Sequence, residues 1–190
     1  MAYITDIFDD KITDSLQSSG VGLLPTDTIY GLSCRALDQL AVNRLHKLKD
    51  RSAHKPFIIL ISDIKMLNLL SISQKQTSLV IKYWPSALSV VFSAPKAPAW
   101  LRLGSQTLAV RLPNHSSLQK LINKTGPLIS TSANIEGQEP TKSVQEAKSI
   151  FGNRLDFYVD VGMLDNPPSS LAEENKGQLK ILRQGAVKLS

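Results

Sequence analysis

Short apolar runs alternate with amphipathic stretches through most of this chain, and a hairpin-like pair closes it. Ile12 and Leu16 fall four apart in a helix predicted over residues 7–18 and ended by Ser18-Ser19-Gly20. Val21 to Leu24 reads as a buried strand. Beyond a turn from Pro25 to Gly31, Asp38 is a good N-cap for a helix with Leu40, Ala41, Leu45 and Leu48 at helical spacing and Leu37 as a staple-like neighbour. Phe57 to Ile61, Ala87 to Phe92, Thr107 to Arg111 and Phe157 to Val161 read as further strands. Residues 63–84 are expected to hold two short helices, broken near Ser71-Ile72-Ser73 and stopped by Trp84-Pro85. Ser116 is placed as the cap of a helix carrying Leu118, Leu121 and Ile122, with Gly126 beyond its end. Leu128 and Ile129 lead, strand-like, into Ser130-Thr131-Ser132-Ala133-Asn134. Ser143 and Glu146 form a capping box for a helix through Phe151. Leu171 and Leu179 to Leu182 pair around Asn175-Lys176-Gly177. This alternation predicts an α/β fold, a mixed sheet with helices packed on it. Strand order is not contained in the pattern.

Composition narrows the picture only slightly. At 190 residues, 42% hydrophobic and 20% charged, the chain has enough apolar material for a sizeable core and reads as one domain spanning 1–190. No apolar run reaches bilayer length, so no membrane role is expected. The N-terminus, Met1-Ala2-Tyr3-Ile4-Thr5-Asp6, has the form of no secretory leader, and the single Cys34 fits a cytoplasmic setting. Cys34 reads as a buried inert thiol and His46 as a surface or boundary residue of its helix. The formal charge of +6 favours anionic partners such as nucleotides or RNA.

Three segments could carry chemistry. Pro25-Thr26-Asp27-Thr28 follows a buried strand; it could be a turn satisfying its own backbone, or a set of hydroxyls facing a crevice. Lys49-Asp50-Arg51 with Lys55 follows a helix and could simply complement its dipole. Its confinement before Pro56-Phe57-Ile58-Ile59 would instead let a guanidinium grip phosphate oxygens in bidentate fashion. Ser130 to Asn134 again sets hydroxyl and amide donors after a strand. Thr107 and Arg111 share one side of a strand by period-two parity, and Arg183 ends the last strand. Neither a Gly-x-x-x-x-Gly-Lys loop nor a Gly-x-Gly-x-x-Gly turn is present, and His46, His54, His115 and Cys34 have no metal-ligand spacing; no metal site in the protein itself is expected.

Pro25-Thr-Asp-Thr-Ile-Tyr-Gly-Leu, Lys49-x-Arg51 with Lys55-Pro56, and Ser132-x-Asn134 together resemble the signature of the YrdC family, in its short bacterial form. Its members are threonylcarbamoyl-AMP synthases, which begin threonylcarbamoyladenosine formation on tRNA. The resemblance implies a twisted, mixed parallel and antiparallel sheet with packed helices around a large basic cavity. It implies a nucleotidyltransferase that joins L-threonine, bicarbonate and ATP, with Mg²⁺ on the triphosphate. Carried over by motif, Thr28, Arg111, Ser130 and Ser169 would contact threonine. Arg51, Lys55, Thr107, Ser132, Asn134 and Arg183 would contact ATP, and Lys49 and Arg51 would be catalytic. The chain departs from the family locally: Trp84-Pro-Ser-Ala-Leu-Ser stands for Trp-Pro-Gly-Pro-Leu-Thr, and Arg183-Gln-Gly for Arg-Pro-Gly. Pro168-Ser-Ser-Leu-Ala also departs from its counterpart, leaving Ser170 as the alternative to Ser169.

Implied partners are tRNA or double-stranded RNA and the proteins that transfer the threonylcarbamoyl group onward. Two other readings stay open on the residues: a basic RNA-gripping module without catalysis, and a different carbamoyl- or adenylyl-transfer enzyme on the same scaffold.

Overall fold

The computed structural model describes residues 1–49, 57–175 and 177–189. Its strands are β1 (Tyr3–Thr5), β2 (Gly22–Pro25), β3 (Tyr30–Arg35), β4 (Ile58–Leu60), β5 (Leu88–Ser93), β6 (Thr107–Arg111), β7 (Leu128–Ser132), β8 (Phe157–Val159), β9 (Ser170–Asn175) and β10 (Gln178–Arg183). They form one mixed sheet in the order β1-β8-β2-β3-β7-β4-β6-β5-β9-β10. β1 and β2 flank β8 in parallel, β4 runs parallel to β6 and β5 to β9; the remaining neighbours are antiparallel. The α/β expectation holds.

Helices cover both faces. On one, α2 (Gln39–Lys49), α3 (Ala99–Arg102) and α5 (Val144–Phe151) contribute Ala41, Val42, Leu45, Leu101, Ala147 and Phe151 to the larger core, above Ile59, Val90, Val110 and Ile129 of the sheet. On the other, α1 (Asp10–Gln17) and α4 (Ser116–Thr125) set Ile12, Leu16, Leu118, Leu121 and Ile122 over Leu24, Leu60, Leu128 and Phe157. Burial of each Val, Leu, Ile or Phe among them contributes roughly 1.5–3 kcal/mol. Among the described residues no helix is long and apolar enough to cross a membrane.

Several local expectations are revised. The stretch after the Pro25 turn is a strand, β3, before it is a helix, because Tyr30 to Arg35 find partners on both sides in β2 and β7. Asp38 does cap α2, its Oδ1 accepting from the Ala41 amide at 3.1 Å. Leu40 points outward at 75% exposure, and Val42 takes the buried place. The two short helices in 63–84 are 3₁₀ turns, Ile64–Leu70 and Gln74–Thr77, separated by Ser71 in the left-handed region. The cap of α4 is His115, one residue before the expected Ser116; its Nδ1 accepts from the Leu118 amide at 3.2 Å. Ser143 caps α5 as expected, while Glu146 reaches back to the Lys142 amide at 2.7 Å. Cys34 is fully buried, and its burial holds the thiol's pKa well above the usual range. His46 is half-buried against Phe57, as a boundary residue should be.

Candidate functional site

Pleating sends alternate residues to the same face of a strand, and on two segments flanking β3 that alternation changes chemistry partway along. β7 places Leu128 under α1 and α4, then Ser130 and Ser132 on the same side; β2 places Leu24 there, then Thr26 beyond its end. Where the two helices run out, the face opens into a cleft of about 350 Å³. Its floor is a row of paired residues crossing four strands, Ser130 of β7, Ile58 of β4, Ala109 of β6 and Val91 of β5. Thr107 and Arg111 lie on either side of Ala109 along β6, on the side expected from parity. The cleft therefore occupies a sheet face, whereas the hydroxyls alone suggested a crevice at strand ends.

Thr28, Thr107, Arg111, Ser130, Ser132, Ser169 and Arg183 all line this cleft, brought together from five separate segments. Arg111 and Arg183 are the charged side chains among its described lining residues. Lys49 and Asn134 stand just behind. Lys49 is buried, and its Nζ donates to the Ser132 carbonyl at 2.7 Å and to Asn134 Oδ1 at 2.8 Å. Ser132 Oγ donates to the same Oδ1 at 2.6 Å. Asn134 Nδ2 in turn holds the Ile135 and Gln138 carbonyls, so the Lys49 ammonium anchors the turn that follows β7. Arg51 and Lys55 lie outside the described residues.

Arg111 is the cleft's most constrained group, 3% exposed. Its Nη2 lies 3.3 Å from Asp27 Oδ1, its Nη1 lies 3.4 Å from Thr28 Oγ1, and its Nε has no hydrogen-bond partner. Asp27 is itself held by the Asn114 amide, which donates to Oδ2 at 3.0 Å. Burial lowers the Arg111 pKa, Asp27 opposes that shift, and Arg183 adds to it. A buried guanidinium lining a hydroxyl-rich cleft is suited to a carboxylate. Asp27 escaped the sequence reading because its partner is 84 positions away; a lone acid between two threonines was the available sign.

Thr26 and Thr28 satisfy both readings of their turn. Thr26 Oγ1 donates to the Ile29 carbonyl at 2.7 Å and accepts from the Thr28 amide at 3.1 Å, which is local turn chemistry. That turn aims Thr28 at Arg111. Tyr30, from the other face of β3, fixes the chain crossing from β8 to β9: its hydroxyl donates to the Gly162 carbonyl at 2.7 Å and accepts from the Val161 amide at 3.0 Å. Burial raises the Tyr30 pKa. The crossing ends at Pro168 and Ser169, and Ser169 Oγ meets Ser89 Oγ at 3.0 Å. Ser170 faces away from the cleft, fully buried, so the structure brings Ser169 rather than Ser170 to the site. Gly31 leaves room for the Ser130 hydroxyl, since a Cβ there would sit 2.4 Å from Ser130 Oγ.

Among the described residues, a ten-stranded mixed sheet whose open face carries Arg111, Arg183 and a ring of hydroxyls defines the class, and comparison with known proteins agrees. The chain belongs to the Sua5/YciO/YrdC family, whose model, described as telomere recombination, matches residues 14–185. It is similar to threonylcarbamoyl-AMP synthase of Pseudoalteromonas translucida, 34% identical over 171 residues, covering 86% of this chain and 91% of that one. The Coxiella burnetii (strain RSA 493 / Nine Mile phase I) protein of the same name is 35% identical over 162 residues, with 82% and 87% covered. Among solved structures, P. abyssi Sua5 complexed with L-threonine superposes with a TM-score of 0.87 at 27% identity, over 97% of this chain. This chain spans 58% of that protein's length.

Proposed function

We propose that the protein is a threonylcarbamoyl-AMP synthase, converting L-threonine, bicarbonate and ATP into threonylcarbamoyl-adenylate, pyrophosphate and water. The observation that carries this reading is the convergence of Thr28, Arg111, Ser130 and Ser169 with Ser132, Thr107 and Arg183 in one cleft. The similarity to synthases by name, and to a Sua5 structure holding L-threonine, supports it.

In this reading the Arg111 guanidinium receives the threonine carboxylate, with Thr28, Ser130 and Ser169 around the amine and hydroxyl. Threonine's amine adds to the bicarbonate carbon, water leaves, and the resulting N-carboxylate attacks the α-phosphorus of ATP; the P–O bond to pyrophosphate breaks. The attacking oxygen is already anionic, so the protein's task is to bring two anions together and stabilise charge developing on phosphate. Arg183 and Arg51, with Lys55, Thr107 and Ser132, are assigned to the triphosphate, and Mg²⁺ travels with it as counter-ion. Lys49 and Asn134 hold the Ser132 turn in register. Because one continuous sheet carries both groups of residues, we take 1–190 as a single functional unit. We further infer a cytoplasmic setting, with tRNA and the proteins that transfer the threonylcarbamoyl group as partners, from the product's destination on tRNA.

Gly31→Ala gives a local check. The added methyl would meet the movable Ser130 hydroxyl rather than backbone, so the fold should survive within about 1 kcal/mol. The hydroxyl would turn away, and the threonine KM is expected to rise roughly 3- to 10-fold. An unchanged KM would remove Ser130 from the threonine contacts.

The reading as a whole is tested by pyrophosphate release from ATP, omitting threonine or bicarbonate in turn. Release that needs both is expected. No release from well-folded protein, together with salt-sensitive RNA binding indifferent to Thr28→Val or Ser132→Ala, would support the RNA-gripping module in its place.

A further inference from the structure

The last residues of the chain return to the cleft wall. Ser170, the first residue of β9, is fully buried and makes no contact with the cleft. Its hydroxyl accepts from the Gly185 amide at 3.0 Å and the Val187 amide at 3.1 Å, and donates to the Val187 carbonyl at 2.6 Å. One step earlier, the Ala186 amide donates to the Pro168 carbonyl at 2.9 Å. Arg183 Nη2 donates to the Ser169 carbonyl, also at 2.9 Å. Gly185 lies flat on this segment: a Cβ there would stand 2.2 Å from the Pro168 carbonyl oxygen and 2.6 Å from the Ser169 carbonyl carbon. These are backbone atoms that cannot swing aside as a side-chain tip would. Pro168 and Ser169, so gripped, are both lining residues of the cleft.

We propose that Gly185 to Val187, acting through Ser170, form a positioning clamp that sets Pro168 and Ser169 in the cleft wall and thereby sets the affinity for threonine. The inference rests on the synthase reading and deepens its threonine site. Three amides from the tail and one guanidinium fix a segment that arrives from a long crossing with little regular structure of its own. Ser169 Oγ can then meet Ser89 and face the cleft at a fixed height. Without the clamp, the same hydroxyl would sample positions away from substrate, and binding would carry the ordering cost. The Arg183 bond adds a consequence: the cation assigned to ATP and the serine assigned to threonine are linked through one hydrogen bond.

The test uses the 190-residue chain as Ser170→Ala and Gly185→Ala, and a third form ending at Gln184. Threonine is varied at saturating ATP and bicarbonate, pyrophosphate release is followed, and thermal unfolding is measured alongside. The clamp predicts a threonine KM raised about 10-fold with kcat at saturating threonine within about 2-fold, in each variant that stays folded. Calorimetric titration with threonine should show the same loss. Unchanged threonine KM in the folded variants would overturn the clamp, as would kcat and KM worsening together in step with lost thermal stability, the mark of a purely structural role. A wild-type protein without threonine-dependent release would sink the synthase reading itself and the clamp with it, an outcome visible before any variant is made.

Discussion

Replacing Arg111 by methionine is expected to lower kcat/KM for threonine in pyrophosphate release by roughly 30- to 5,000-fold, the equivalent of the roughly 2–5 kcal/mol lost when one partner of a buried charge pair is truncated. Such a loss could have two sources, and they are separable. Removing the guanidinium leaves Asp27, whose side chain is 6% exposed, as an uncompensated buried carboxylate. Breaking a pair in this way destabilises by roughly 3–5 kcal/mol. The double variant Arg111→Met with Asp27→Asn removes that penalty and should regain most of the lost stability. It should not regain threonine binding, because the cleft-lining guanidinium is gone. Arg111→Lys should also fail to restore activity, since an ammonium cannot reach Asp27, Thr28 and a substrate carboxylate with the geometry of a planar fork. A double variant that is both stable and active would take Arg111 out of the site.

Lys49→Met is expected to act from behind the cleft. The substitution keeps the length of the aliphatic stem but removes the donor to the Ser132 carbonyl and Asn134 Oδ1. Hydrogen bonds from a charged donor at buried positions contribute roughly 1.5–3 kcal/mol each, so a loss on the order of 3–6 kcal/mol of stability is expected for the pair. The functional effect should fall on ATP more than on threonine. Ser132 would lose the register that points it into the cleft, while Arg111, Thr28 and Ser169 are held by other partners. Denaturant titration, with ATP and threonine KM measured separately, checks both halves. Intact stability with all activity lost would show instead that the ammonium acts directly on phosphate, and equal losses for both substrates would deny the proposed division of the site.

The site was more legible in the sequence than its scaffold. Leu24, Thr26 and Thr28, and again Leu128, Ser130 and Ser132, step at intervals of two from apolar to hydroxyl, and both series meet in the cleft. The parity of Thr107 and Arg111 placed them on one face for the same reason. Pairing over long distances was not legible. β3 contains Gly31, Ser33 and Cys34, poor advertisements for a strand, and is a strand because β2 and β7 bond to it on both edges. β1 is three residues long and depends on β8, more than 150 positions away. His115 displaced Ser116 as a cap because an imidazole nitrogen accepts an amide hydrogen as well as a hydroxyl does. The Asp27–Arg111 pair and the return of the tail to Ser170 likewise join segments whose nearness only the folded chain reveals. Arg51 and Lys55, read from the family pattern, remain assignments of that pattern.

Conversion of three substrates into one adenylate is read directly with labelled bicarbonate. The protein is incubated with [¹⁴C]bicarbonate, L-threonine and ATP, and the nucleotide products are separated and weighed by mass spectrometry. The account predicts a single new nucleotide with the mass of threonylcarbamoyl-AMP, carrying label in equal proportion to pyrophosphate released and absent when threonine is left out. Pyrophosphate released without label entering any nucleotide would contradict it.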